Sequence, residues 1–203
     1  MFDFSGEHHT LTFSGGYLDD FGIRFQGSPN HVAGGNLGEG FEEFTICIWF
    51  YPFEVSNYRN PIDGNYAYNS NTGNVGPRLE MNSNGVTAWI VSSNTASNGG
   101  YNVYSVRTTG LESYAWHFAA IKKENGLIST YYNRNKVVSN QGNPGGTLTG
   151  MSNFALGRGF HLGGAERYFY GRIYMCSCHE RPLSDDEIFG IYDGYKETLN
   201  PLS

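Results

Sequence analysis

Catalysis and metal binding need particular spacings of carboxylates, thiols and imidazoles, and this chain of 203 residues offers several clusters to weigh. Hydrolysis of a glycosidic bond uses two carboxylates roughly 5–10 Å apart, a pair that a strand displays as Glu-x-Asp-x-x-Glu. No such spacing occurs. The acidic clusters are Asp19-Asp20, Glu42-Glu43 and Asp185-Asp186-Glu187. Neighbours on a strand point to opposite faces, and the third cluster opens a helix, so solvated or capping roles are expected. No catalytic residue is assigned and the chain is not expected to be an enzyme. Cys176-Ser177-Cys178-His179 combines zinc-ligand types, thiolate and imidazole, but free cysteine also behaves as a small buried hydrophobe.

A second kind of chemistry is recognition by loops. Asn57-Tyr58-Arg59-Asn60 with Tyr66 and Tyr68, and Asn98 with Tyr101, concentrate amides, rings and a guanidinium. Sugars stack their apolar faces on aromatic rings, and protein interfaces also favour Tyr and Arg. A glycine-rich segment, Gly157-Arg158-Gly159-Phe160-His161-Leu162-Gly163-Gly164, lacks the strand-to-helix setting of a phosphate loop, and its His161 is a ligand contact by expectation. The expected ligand-binding residues are therefore Asn57, Tyr58, Arg59, Tyr66, Tyr68, Tyr101, Arg158 and His161. The plainer alternative, polar loops whose tyrosines lid the ends of a sandwich, stands beside this one.

Composition narrows what positions them. With 15 Tyr, 14 Phe, 28 Gly and only 16% charged residues, aromatic strands and tight turns are favoured over helices. The formal charge is −6 and the 13 Lys and Arg are scattered, so a nucleic-acid partner is not expected. The apolar run from Phe44 to Phe53 is about half the roughly 20 residues of a membrane-spanning helix and reads as a buried strand. Residues 1–10 show neither a basic nor an apolar leader region, and Cys47, Cys176 and Cys178 are odd in number, so synthesis in a reducing compartment is expected.

In Phe44–Phe53, Phe44, Ile46, Ile48 and Phe50 share one face while Thr45, Cys47, Trp49 and Tyr51 share the other, the double-sided pattern of a central strand. Asn84-Gly85 and Asn125-Gly126 sit between alternating segments as type I′ hairpin turns, joining 78–81 to 86–91 and 116–123 to 127–132. Glycine-rich 33–40 reads as a loop, and so does 54–77, where apolar periodicity fails. The one helix follows Leu183, with Ser184 as N-cap and Glu187 as its capping-box partner, and ends at Gly194. Residues 1–22 read as extra strands or an attachment arm, and 23–203 as one domain.

The order of segments resembles the laminin-G-like, concanavalin A-like jelly-roll family. Four blocks carry it: Arg24-Phe25-Gln26-Gly27-Ser28-Pro29-Asn30-His31-Val32; Phe44-Thr45-Ile46-Cys47-Ile48-Trp49-Phe50-Tyr51-Pro52; Trp116-His117-Phe118-Ala119-Ala120-Ile121 with Tyr131-Tyr132-Asn133; and Leu156-Gly157-Arg158, Phe169-Tyr170-Gly171-Arg172-Ile173 and Arg181-Pro182-Leu183-Ser184-Asp185-Asp186-Glu187-Ile188. The resemblance implies an all-β, two-sheet antiparallel jelly-roll sandwich with one short C-terminal helix. It implies core positions for Cys176 and Cys178 and a structural role for His117. Where the family has Asn-Gly, this chain has Asn133-Arg134-Asn135, so either Arg134 takes a positive φ or the loop is one residue longer. Family members bind glycans, proteins or calcium, and Asp63 with Asn65 is the pair implied for calcium. The function expected is a non-catalytic binding module on a viral or phage particle, a capsid decoration or tail-associated adhesin assembled in the host cytoplasm. Its expected partners are virion structural proteins or surface glycans, and it is expected to be a homo-oligomer or assembly-bound. The alternative is an extracellular lectin, with a glycan hydrolase behind it.

Overall fold

Alternating apolar residues need a partner layer, and two antiparallel sheets supply it to each other. The computed structural model describes residues 12–15, 17–28, 32–36, 42–56, 58–64, 77–83, 85–95, 101–138, 154–160 and 166–199. Strands β1–β16 are numbered along the chain. The first seven-stranded sheet runs β1 (Thr12–Ser14), β4 (Val32–Gly35), β13 (Phe154–Leu156), β6 (Arg59–Asp63), β7 (Pro77–Asn82), β8 (Gly85–Thr95) and β9 (Tyr101–Arg107). The second, also of seven, runs β12 (Asn135–Val138), β11 (Leu127–Tyr132), β10 (His117–Glu124), β5 (Phe44–Pro52), β16 (Tyr170–His179), β3 (Gly22–Gln26) and β2 (Tyr17–Asp19). A small hairpin, β14 (Arg158–Phe160) and β15 (Glu166–Tyr168), joins the ladder of neither sheet. The expected sandwich is the one formed, and residues 12–19 give each sheet one edge strand.

Between the sheets lies one core, built from Phe25, Phe44, Ile46, Ile48 and Phe50 of the second sheet against Ile62, Leu79, Met81, Val86 and Leu156 of the first. The central strand β5 is apolar on its other face because a helix lies there. Helix α1 (Asp185–Leu199) packs Ile188, Tyr192 and Leu199 onto Cys47, Trp49, Phe118 and Tyr131. Trp49 and Tyr192 stack with ring centroids 5.4 Å apart. The capping box is as expected: Ser184 Oγ accepts from the Glu187 amide at 3.2 Å, and the Ser184 amide donates to Glu187 Oε2 at 2.8 Å. The helix does not stop at Gly194 but continues to Leu199, whose buried side chain offsets the poor helix propensity of glycine. Asp185 fastens its start, accepting from Tyr131 Oη at 2.6 Å and Lys136 Nζ at 2.8 Å.

Several turns sharpen the sequence reading. Asn125 and Gly126 have φ of 48° and 73°, both positive as type I′ requires. Gly85 instead pairs with Asn82 as the first residue of β8, and a Cβ there would meet the Thr108 carbonyl oxygen at 1.9 Å. Its glycine is demanded by close approach. In the β11–β12 turn the positive φ, 50°, belongs to Asn133, whose Oδ1 accepts from the Phe118 amide at 3.0 Å. Arg134 is spared and reaches Asp193 of α1 at 3.0 Å. Segments expected as loops contain strands: most of β4 falls in 33–40, β6 within 54–77, and β14 within the glycine-rich stretch. In β6 the apolar alternation is hidden by Asn60 and Asp63, polar residues that are nonetheless fully buried. Cys176 and Cys178 pack on the main core, opposite Ile48 and Ile46 across the β5–β16 pairing.

Candidate binding site

Of the expected ligand residues that the structure describes, Tyr58 and Arg158 lie at the β14–β15 hairpin, which rests on the first sheet. Leu79 and Met81 point into the core, so alternation along β7 turns Arg78, Glu80 and Asn82 outward. Asp63 Oδ2 accepts from Arg78 at 3.0 and 3.2 Å, and Asp63 itself is wholly buried. The Glu80 carboxylate pairs with Arg167 of the β14–β15 hairpin. Asn82 accepts from Arg107 at 2.6 Å and donates to Thr87 at 3.0 Å. Tyr58, with φ of 65° and 57% exposed, lies with its ring 4.5 Å from the Arg167 guanidinium. Arg59 donates to Ser56 Oγ at 3.1 Å. Burial pushes the Arg167 pKa down and Glu80 pulls it back, which keeps the hairpin's cation tied to the sheet.

This face is a clamp more than a cleft. Arg158 starts the hairpin that the Arg167–Glu80 pair pins down, and a Cβ on Gly159 would strike Asn60 at 2.2 Å, so the hairpin sits directly on β6. A cation coordinated by Asp63 would have to compete with Arg78 for the carboxylate. Among the described residues no cluster of three or more His, Cys, Asp or Glu could hold a metal ion. Asn57, Asn65, Tyr66, Tyr68 and His161 lie outside the described residues, and of Tyr101 only the backbone, at the start of β9, is described.

The outer face of the second sheet is different. Helix α1 covers the β5, β10 and β11 side and reaches Tyr174 and Met175 of β16, and among the described residues it leaves β2, β3 and the start of β16 uncovered. Direct cross-strand partners share a face, so the register aligns Tyr17, Arg24, Arg172 and Tyr51 in a row across four strands. Trp116 extends the row, its ring centroid 5.2 Å from that of Tyr51. Phe53 lies over both arginines, with Arg24 Cζ 5.1 Å and Arg172 Cζ 5.0 Å from its ring centroid. It also meets Tyr170 at 5.1 Å and Tyr114 at 6.2 Å. Tyr114 is 68%, Phe21 51% and Tyr17 44% exposed, so the platform faces water. At its helix side, Tyr174 bridges from Trp116 (6.1 Å) to Tyr195 of α1 (5.7 Å).

Tyr114 reaches this position through a held loop. Its φ is 59°, an uncommon conformation for a bulky residue, and its amide donates to the Pro52 carbonyl at 2.8 Å. Behind it, His117 Nε2 lies 2.7 Å from the Glu112 carbonyl and Nδ1 2.7 Å from the Tyr132 hydroxyl, which donates to the Gly110 carbonyl at 3.0 Å. Burial lowers the His117 pKa, so its ring is a structural staple, as the family resemblance implied. At the other edge Gly22, with φ of 106°, lets β3 approach β16: a Cβ there would meet the Ile173 carbonyl oxygen at 2.4 Å.

Sequence reading missed this platform. Its traces are present as alternation in Tyr51-x-Phe53, Arg24-x-Gln26 and Tyr170-x-Arg172-x-Tyr174, but only the register of strands more than a hundred residues apart shows that these share one face. Chemically the platform can stack flat apolar surfaces and donate hydrogen bonds from two guanidiniums.

Comparison with known proteins places the fold. The binding domain of Paraclostridial Mosquitocidal Protein 1 superposes with a TM-score of 0.70 at 16% identity, covering 95% of this chain and 49% of that one. The botulinum neurotoxin serotype D binding domain gives 0.64 at 15%, covering 94% and 48%. The binding domain of botulinum neurotoxin DC in complex with SialylT gives 0.64 at 14%, also covering 94% and 48%. The chain thus spans about half the length of these domains, and at such identities the likeness is one of fold. No curated protein matches it in sequence. Residues 26–189, which take in the last three sequence blocks and all of the first but Arg24 and Phe25, match the laminin G-type model of the concanavalin A-like lectin/glucanases superfamily, and the chain belongs to that family.

Proposed function

We propose that this chain is a non-catalytic, lectin-like module that binds saccharides on the aromatic platform of its second sheet. The carrying observation is the row Tyr17, Arg24, Arg172, Tyr51 and Trp116, rigid because it is built on strands, with α1 packed against its Trp116 end and its Tyr17 end exposed. Exposed rings offer apolar faces to sugar rings, and guanidiniums and the Gln26 amide offer donors to hydroxyls. Membership of a lectin-containing superfamily supports the reading, as does the fold shared with toxin binding domains. The first sheet's clamp, whose charges are buried against each other, supports it by contrast.

A glycan array probed with and without calcium tests this. Binding that is lost in Tyr51→Ala and Tyr114→Ala, and retained in Tyr58→Ala on the clamp face, is the expected result; an array without a hit sinks the proposal. Because the superfamily also contains glucanases, the hits are incubated with the protein and followed by chromatography, and turnover would overturn the non-catalytic part. The virion placement expected from the sequence is a further step of the proposal with its own test: antibody against the chain should decorate intact particles, and particles lacking it would end that version.

A further inference from the structure

We propose that the platform selects carboxylate-bearing saccharides through the Arg24–Arg172 pair, an inference that rests on the platform being the saccharide site. Arg24 and Arg172 are direct partners in the β3–β16 ladder, so two like charges lie directly opposite each other on one face of the sheet. One carboxylate answers them. Asp19 Oδ2 accepts from Arg172 Nε at 2.7 Å, and its Oδ1 is held by the Phe21 amide at 2.9 Å. Arg24 makes no ion pair among the described residues, and its buried Nε has no hydrogen-bond partner there. The row of two arginines and one aspartate therefore carries an excess positive charge, in a chain whose formal charge is −6.

The two guanidiniums are also fixed in orientation. Arg24 lies 5.5 Å from the Tyr17 and 5.1 Å from the Phe53 ring centroid; Arg172 lies 5.0 Å from Phe53, 5.9 Å from Tyr51 and 6.0 Å from Phe21. Rings that immobilise planar forks lower the entropic cost of a bidentate contact. A planar carboxylate on a sugar ring matches such a fork while the ring itself stacks on a neighbouring aromatic side chain. A sulfated sugar shares the charge but not the planar geometry. An acidic peptide shares the carboxylate but lacks the stacking ring.

Isothermal titration calorimetry on the full chain separates these cases, using tetragalacturonate, its carboxyl-reduced counterpart, sialyllactose, lactose, a sulfated galactose tetramer and a pentaglutamate peptide. The expected result is that, in at least one matched pair, the acidic sugar binds about tenfold or more tightly than the neutral one, with the sulfated sugar and the peptide weaker. Added salt should shrink the difference, and Arg24→Gln, with an unchanged melting temperature, should erase it. Equal affinity for acidic and neutral sugars overturns the carboxylate selection and leaves the platform standing. Tighter binding of the sulfated tetramer or the peptide overturns it too. If no sugar binds, or if Tyr51→Ala leaves acidic and neutral binding intact, the platform reading itself falls and this inference with it.

Discussion

The two outer faces of the sandwich carry similar residues, arginines, tyrosines and carboxylates, and use them in opposite ways. On the first sheet Asp63 meets Arg78 and Glu80 meets Arg167, each acid nearly or wholly buried against a base. On the second sheet Arg24 faces Arg172, with Asp19 alone beside them and a set of half-exposed rings around. Matched, buried charge is what a clamp needs: it fixes the β14–β15 hairpin onto the sheet. Like charge kept at the surface is not needed to hold the fold, and this is why the second face is the one proposed to bind a ligand. Two strained tyrosines repeat the contrast. Tyr58 closes over a paired arginine, whereas Tyr114 stands on the rim of the platform.

The largest effect is expected where the second face is closed. Trp49→Ala removes a fully buried ring stacked on Tyr192 and packed on Phe118, and should cost about 4 kcal/mol in urea unfolding while releasing α1. Hydrogen exchange in 185–199 should rise with it. A stable variant with a protected helix would mean that α1 docks mainly by its polar contacts. On the clamp face, Glu80→Ala leaves the Arg167 guanidinium without its carboxylate at a largely buried position, with an expected loss of about 3 kcal/mol. Pairing it with Arg167→Met should recover much of that loss. If both single variants are as stable as the parent, the clamp is ornamental and the contrast between faces fails.

These two sites also show what a sequence can disclose. The turn at Asn125-Gly126, the capping box at Ser184 and the two-sided strand at Phe44–Pro52 were legible because their signals are local: a φ requirement, a three-residue spacing, a period of two. Strand β6 was hidden because Asn60 and Asp63 are polar, and the burial of Asp63 is answered by Arg78, fifteen residues away. Arg167 and Glu80 are separated by 87 residues, and Arg24 and Arg172 by still more, so neither pair had any local trace. Tyr58, Arg59 and Arg158 were singled out for their residue types, and Tyr58 and Arg158 do meet at one hairpin while Arg59 bonds Ser56, but type alone could not distinguish a clamp from a binding surface.

The helix seam has a pH dependence with a definite sign. Hydrogen bonds from Lys136 and Tyr131 hold the Asp185 pKa below the usual carboxylate range, and Arg181 together with the Ser184 amide brings Glu187 down to about 2. A carboxylate whose pKa is lower folded than unfolded stabilises the fold above the unfolded value, near 4, and loses that contribution as pH falls through the folded value. Stability should therefore decline between about pH 4 and about pH 2, with Trp49 fluorescence changing as the helix lifts. Asp185→Asn should flatten the decline, and Ser184→Ala should cost about 1 kcal/mol at neutral pH. A profile identical in Asp185→Asn would assign the acid sensitivity elsewhere.

The smallest expected effect bears most directly on function, because it runs the other way. Like charges directly opposed on a sheet destabilise it, so Arg24→Gln should leave stability unchanged or raise it by a few tenths of a kcal/mol. Arg172→Gln should not share this gain, since it also leaves Asp19 without its partner. Salt screens the repulsion, so the advantage of Arg24→Gln should fade as ionic strength rises. Urea titrations of both variants at low and high salt measure this. A residue whose removal stabilises the fold is kept for what it binds, whereas a clear loss of stability in Arg24→Gln would show that the stacking of Arg24 on Phe53 and Tyr17 outweighs the repulsion. In that event the second face, like the first, would be held together by its own arginines.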